Sequence, residues 1–190
     1  EDSMSTLKVS NIQDISNNAA MSISGGVVTA TSAIRAPGAV LQVKQTLYTD
    51  QFVKTSTAEE DITGFTVAIT PTASSSKVLI QVHMVVSSGQ NCGHTFTLKR
   101  GTTAVGVGKD EGSRTRGGWA FDGGNSDSNR ATSISYQFLD SPNTTSATTY
   151  KVTVFKHSTA AFNMNRNGTA GGQFYDDNYA STITATEIGG

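Results

Sequence analysis

From residue 38 to residue 188, apolar side chains recur at every second position in short runs, and Gly, Pro, Ser and Thr clusters separate the runs. Residues 38–48 read GAVLQVKQTLY, residues 60–71 read EDITGFTVAITP, and residues 75–86 read SSKVLIQVHMVV. Alternation at period two predicts half-buried antiparallel strands. The strongest run spans residues 77–87. Val78, Ile80, Val82, Met84 and Val86 fall on one face, and Leu79, Gln81, His83 and Val85 on the other. Because the second face is also half apolar, this strand is expected to be central or to face a neighbouring subunit. Further strands are predicted near residues 51–54 and at 62–69, 94–100, 102–107, 133–139, 149–155, 160–164, 173–175 and 181–188. Gly101, alone between two of these runs, predicts a tight hairpin. Residues 108–129 read as a long loop with one short strand near Trp119. No segment carries apolar residues at i, i+3, i+4 and i+7 over three turns, so no helix is expected. Eight to ten short strands of this kind pack economically as an all-β, jelly-roll-like sandwich. An immunoglobulin-like sandwich is the second choice, but the Cys…Trp…Cys spacing of true members is missing.

Residues 4–36 form a first unit of short alternating runs with small side chains between them. Such a segment buries little alone and suits an intertwined β stalk, in which each of three chains completes the others' core. Ala36-Pro37-Gly38 breaks the pattern, and residues 37–190 form the head. Met4 reads as a start residue, which would make Glu1, Asp2 and Ser3 foreign to the natural chain.

Charge narrows the partners. Charged residues make up 15% of the chain and the net charge is -1. A nucleic-acid partner needs a basic stripe, and an anionic membrane needs a basic cluster; neither is present. No apolar run approaches the roughly 20 residues of a membrane-spanning helix, and no signal peptide is expected at the start. A single cysteine, Cys92, excludes an intrachain disulfide and reads as a buried small side chain.

Catalytic motifs are missing. There is no Gly-x-Ser-x-Gly elbow, no Walker loop and no His-Glu-x-x-His. Asp110 and Glu111 are adjacent and would point opposite ways in a strand, whereas glycosidase carboxylates face each other across a bond. The expectation is therefore a protein that is not an enzyme. His83, His94 and His157 read as ordinary strand histidines. A metal on a trimer axis would need one of them triplicated, and His83 is the best placed. Asp122 with Asp127, and Asp176 with Asp177, offer calcium-type oxygens, but the first group lacks the EF-hand glutamate and helices, and both read as solvated turns. No metal or cofactor is expected.

Aromatic and polar residues together in loops are a better signal. Sugars are recognised by aromatic faces against the apolar side of the ring, with amides and carboxylates bonding the hydroxyls, displayed on loops over a rigid scaffold. Two segments fit: Arg114, Arg116, Trp119, Phe121 and Asp122, and Asn163, Asn165, Arg166, Tyr175, Asp176, Asn178 and Tyr179. The plain alternative is that Trp119 plugs one end of the sandwich.

The order PGAVLQVKQTLY…TGFTVAITPTASSSKVLIQVHMVV resembles the head region of tail-fibre and related virion-surface proteins of tailed phages, many of them marine or cyanobacterial. TGFTV followed by ITPTASSSKVLI is its most specific part. STLKVSNIQDISNNAAMSISGGVVTATSAI resembles the short collar or fibre repeat that precedes such heads. Together they cover about the first half of the chain; from residue 89 on the likeness is one of style. The resemblance implies a homotrimeric virion component. Its N-terminal segment would attach to other virion proteins, and its head would adhere to a host-surface receptor, a glycan foremost. Several weak copies would add avidity. Two alternatives follow from the same likeness: a capsid decoration or cement protein whose contact surface lies in residues 4–36, and a glycan-degrading tail-spike-type enzyme, for which clustered carboxylates are wanting.

Overall fold

The computed structural model describes the backbone of residues 11–13, 19–24 and 27–30, and describes residues 37–89, 92–123, 130–158, 160–167 and 177–190 in full. The chain divides into two compact units, Glu1–Pro37 and Gly38–Gly190. In the first, β1 (Asn11–Gln13), β2 (Ala19–Ser24) and β3 (Val27–Ala30) form an antiparallel meander.

The second unit is all-β. Its strands are β4 (Val40–Tyr48), β5 (Phe52–Lys54), β6 (Glu60–Ile69), β7 (Lys77–Ser88), β8 (Gly93–Arg100), β9 (Thr103–Val105), β10 (Trp119–Asp122), β11 (Thr132–Asp140), β12 (Thr148–Lys156), β13 (Phe162–Met164) and β14 (Ser181–Ile188). One sheet, here the charged sheet, runs β10-β8-β12-β6, with β9 also on β8. The other, the neutral sheet, runs β4-β14-β7-β13-β5, with β11 on the far side of β7. Setting aside the three-residue strands β5, β9 and β13, eight strands remain. In chain order the neutral sheet holds the first, eighth, third and sixth, and the charged sheet the second, seventh, fourth and fifth. That interleaving is the order of a jelly roll, in which a long hairpin is wound into two sheets.

The core lies between the sheets. Val78, Ile80, Val82, Met84 and Val86 of β7 are at most 2% exposed, and they meet Phe96, Leu98, Tyr150, Val152 and Val154 from the opposite sheet. Each such side chain contributes about 1.5–3 kcal/mol through burial. The alternation in sequence is thus converted directly into an inside and an outside. β7 is central, as an apolar face backed by a half-apolar one predicts, with β11 on one edge and β14 and β13 on the other.

Local departures have local causes. The predicted run at 102–107 stops at Val105 because Gly106 turns away with a φ of 63°. A Cβ there would stand 2.3 Å from the Tyr136 hydroxyl, which donates to the Gly106 carbonyl at 2.5 Å. In β6 the pairing jumps from Asp61 opposite Thr153 to Thr66 opposite Lys151, so the strand bulges between them, with Gly64 at a φ of 83°. The bulge lets both Ile62 and Phe65 enter the core. Between β8 and β9, Gly101 at a φ of 58° opens a two-residue hairpin turn, with Arg100 paired to Thr103. The run predicted at 173–175 lies outside the described residues.

Candidate recognition surfaces

The two outer faces of the sandwich differ in chemistry. On the charged sheet, Lys99 pairs with Glu59 at 3.0 Å and Lys151 with Asp61 at 2.6 Å. Burial works to raise the Glu59 carboxyl pKa, but hydrogen bonds from Thr153 and Lys99 outweigh it and hold it below its ordinary value. These are the marks of a face in water.

Among the described residues the neutral sheet carries no such pairs on its outer face. Cross-strand register aligns its residues in rows. Leu47, Thr182, His83 and Ser135 form one; Gln45, Thr184, Gln81 and Gln137 form the next; Val43, Thr186, Leu79 and Leu139 form a third. The charged residue that these strands place on this face is Lys77, at its rim beside Ile188. Every large apolar side chain found exposed among the described residues belongs to this sheet's outer face: Val40, Val43, Leu47, Val53 and Leu139. At its centre a depression of about 480 Å3 is lined by Gln81, His83, Ser135, Gln137, Thr182 and Thr184. His83 Nδ1 lies 3.3 Å from the Ser135 hydroxyl.

A displayed loop joins β9 to β10. Its neck is closed by Gly108 N–H donating to the Gly117 carbonyl at 3.1 Å and by Gly118 N–H donating to the Phe96 carbonyl at 2.8 Å. Gly117 fits only without a side chain, since a Cβ would stand 2.1 Å from the Thr95 methyl. Between the closed ends Lys109, Asp110, Glu111, Arg114 and Arg116 are all exposed. Lys109 pairs with Glu111 at 3.2 Å. Arg116 donates to the Gly108 carbonyl at 3.0 Å and lies 3.8 Å from Asp110. Arg114 makes no hydrogen bond or ion pair with the described residues.

Trp119 and Phe121 of the first predicted group pack within the fold. Trp119 is half-buried between Tyr136, its ring centroid 4.4 Å away and nearly parallel, and Phe96 at 5.4 Å. It closes the gap between the sheets where β10 and β11 approach. Phe121 is half-buried against the ring of His94 at 6.0 Å. Asp122, at the end of β10, is exposed.

In the second group, Asn163 is 3% exposed and Asn165 is fully buried. Asn165 holds a φ of 61°. Its amide donates to the carbonyls of Tyr48 at 2.8 Å and Asp50 at 3.1 Å, and its oxygen accepts from Ser181 at 2.6 Å. Side chains expected at the surface thus tie β14, the β4–β5 turn and the end of β13 together. Arg166 is half-buried, donating to the Asn167 carbonyl at 3.0 Å and to Gln51 at 3.4 Å. Asn178 is exposed and accepts from Gln51 at 2.6 Å. Tyr179 is half-buried and donates toward Asp177 at 3.2 Å; burial first, then the Asp177 charge, raises its pKa. Tyr175 and Asp176 lie outside the described residues. His94 stands between the two groups, against Phe121 on one side and Phe162 at 5.0 Å on the other.

His94 is a core histidine, 1% exposed. Burial above all, with the charges of Lys156 and His157 adding to it, pushes its pKa down to about 4. Its Nε2 lies 3.4 Å from the buried Cys92 thiol. A neutral ring packed against aromatics is what this position supports. Among the described residues no three His, Cys, Asp or Glu side chains gather as metal ligands do, and no helix is long and apolar enough to cross a membrane.

Comparison with protein-family models and with curated proteins finds no match to this chain. The site must therefore be read from its own geometry. The neutral face was legible in the sequence only through the half-apolar second face of residues 77–87, expected to be central or to face a neighbouring subunit. Its residues come from β4, β7, β11 and β14, and only register brings them into rows. The available signal was that the polar partners in these alternating runs are Gln, Thr and Ser where the charged sheet has Lys, Asp and Glu.

Proposed function

We propose that the chain is the head of a tailed-phage tail fibre, a homotrimeric virion protein that adheres to a host-surface glycan and has no catalytic step. The sequence resemblance of the first half supplies the class, and a jelly roll suits it. The observation that carries adhesion is the β9–β10 loop. It is closed at its neck, stands on a rigid sandwich, and gathers five charged side chains in a chain that is otherwise poor in them. A fixed loop loses little freedom on binding. Arg114, exposed and unpartnered among the described residues, offers a planar fork of donors to the carboxylates, phosphates or hydroxyls of a bacterial surface glycan. The N-terminal unit would carry the attachment to other virion proteins.

The test is retention of the purified, labelled chain on a panel of marine and cyanobacterial cells, with Arg114→Ala alongside. Some cell in the panel should retain the wild type, and Arg114→Ala should weaken retention about tenfold, the worth of one charge-assisted hydrogen bond, at an unchanged melting temperature. A wild-type chain that ignores every cell but coats phage capsids would replace this reading with the decoration protein.

A further inference from the structure

We infer that the outer face of the neutral sheet is where copies of this chain pack against one another. The rest of the surface gives the contrast. The outer face of the charged sheet holds ion pairs, while the neutral face holds uncharged rows and all the exposed large apolar side chains found among the described residues. Loss of charge with retained aliphatic groups is the compositional sign of an interface core.

The chemistry of the face selects a second copy as its occupant. A homo-oligomer brings like groups close to like groups, so a charged face would repel its own copy. Here the central rows carry amides and hydroxyls, which are self-complementary. Gln45, Gln81 and Gln137 each offer a donor and an acceptor, as do the hydroxyls of Thr182 and Thr184. Leu47 and Val43 form an apolar ridge on β4, 62% and 56% exposed, beside the central depression.

Size sets the strength. Four strands about 4.8 Å apart and nine residues at about 3.3 Å each give a face of roughly 19 by 30 Å. That is somewhat less than the roughly 800 Å2 per partner of a standard interface. The face by itself therefore implies association that is lost on dilution.

The inference rests on the self-association in the proposed function and not on its receptor. A monomer that still adheres to cells would end the interface and leave adhesion standing; an oligomer that ignores every cell would do the reverse. Sedimentation velocity on the full chain, from about 1 to 100 μM, makes the test. The wild type should exceed the monomer mass of 19.9 kDa at the upper end and dissociate toward the lower. Val43→Lys with Leu47→Lys should raise the dissociation constant at least tenfold. The nearly isosteric Gln137→Glu, which keeps the fold and places like charges together, should do the same. Ala68→Lys, exposed on the charged sheet, should change nothing. A wild type monomeric at every concentration overturns the inference. So does a Gln137→Glu variant of unchanged mass. A monomer in which neutral oligosaccharides shift the amide signals of these rows also overturns it, and hands the face to a receptor.

Discussion

Glu187 has no exposed surface, yet its surroundings favour the charged form. Burial works to raise its pKa, but donors from Gln42 at 2.6 Å and from the Thr72 amide and hydroxyl at 2.6 and 2.7 Å outweigh it and bring it to about 2. The folded pKa lies below the ordinary 4.5, so the stabilisation is fully present above pH 4.5 and is lost as pH falls toward 2. Unfolding free energies from urea titrations across that window should drop for the wild type, by on the order of 2 kcal/mol, and Glu187→Gln should flatten the drop. His94 acts in a higher window. Its folded pKa of about 4 is below the ordinary 6.5, so its neutral form stabilises the fold above pH 6.5, and that contribution fades between 6.5 and 4. An NMR titration should show the His94 ring still neutral at pH 5, where an exposed histidine is charged. Gly106 gives a third test. Replacing it with Ala adds strain at a positive φ and a clash with Tyr136 and Phe138, which together should cost about 2–4 kcal/mol in chemical denaturation.

At the scale of elements, the strands that alternate strictly are legible in the sequence. β4 and β14 fall on their predicted residues, but for different reasons: β14 turns Ile183 and Ala185 into the core and its threonines outward, whereas β4 sets Val43 and Leu47 on the outer face and puts only Tyr48 in the core. β6 is less so. Ile62 and Phe65 are both buried though three apart, and only the bulge at Gly64 reconciles that spacing with a strand. The candidate site was legible only in part. An asparagine in a loop looks the same in sequence whether it faces a ligand or, like Asn165, holds three strand ends together. Trp119 likewise was open between display and plug, and its ring stacks on Tyr136 and Phe96. Trp119→Ala should therefore lower stability by about 2–4 kcal/mol while the folded fraction keeps whatever cell retention the β9–β10 loop gives. Loss of retention without loss of stability would assign Trp119 to the receptor instead.

For the molecule as a whole, the jelly-roll order sets strands far apart in sequence side by side. β4 pairs with β14 across nearly the full length of the head. Such pairings close long loops before any contact rewards them, so folding should be slow for a domain of this size. Both long sides of the sandwich are closed by side chains from opposite sheets. On one, Thr46 and Gln42 donate to the Thr66 and Thr70 carbonyls at 2.6 and 2.7 Å. On the other stands the chain's single tryptophan, Trp119, between the aromatic rings of the two sheets. That single indole makes the protein its own optical gauge. Its fluorescence comes from one known place, so a red shift and a change in quenching report the parting of the two sheets at that seam. Stopped-flow emission can thus time the last closure of the sandwich without a label.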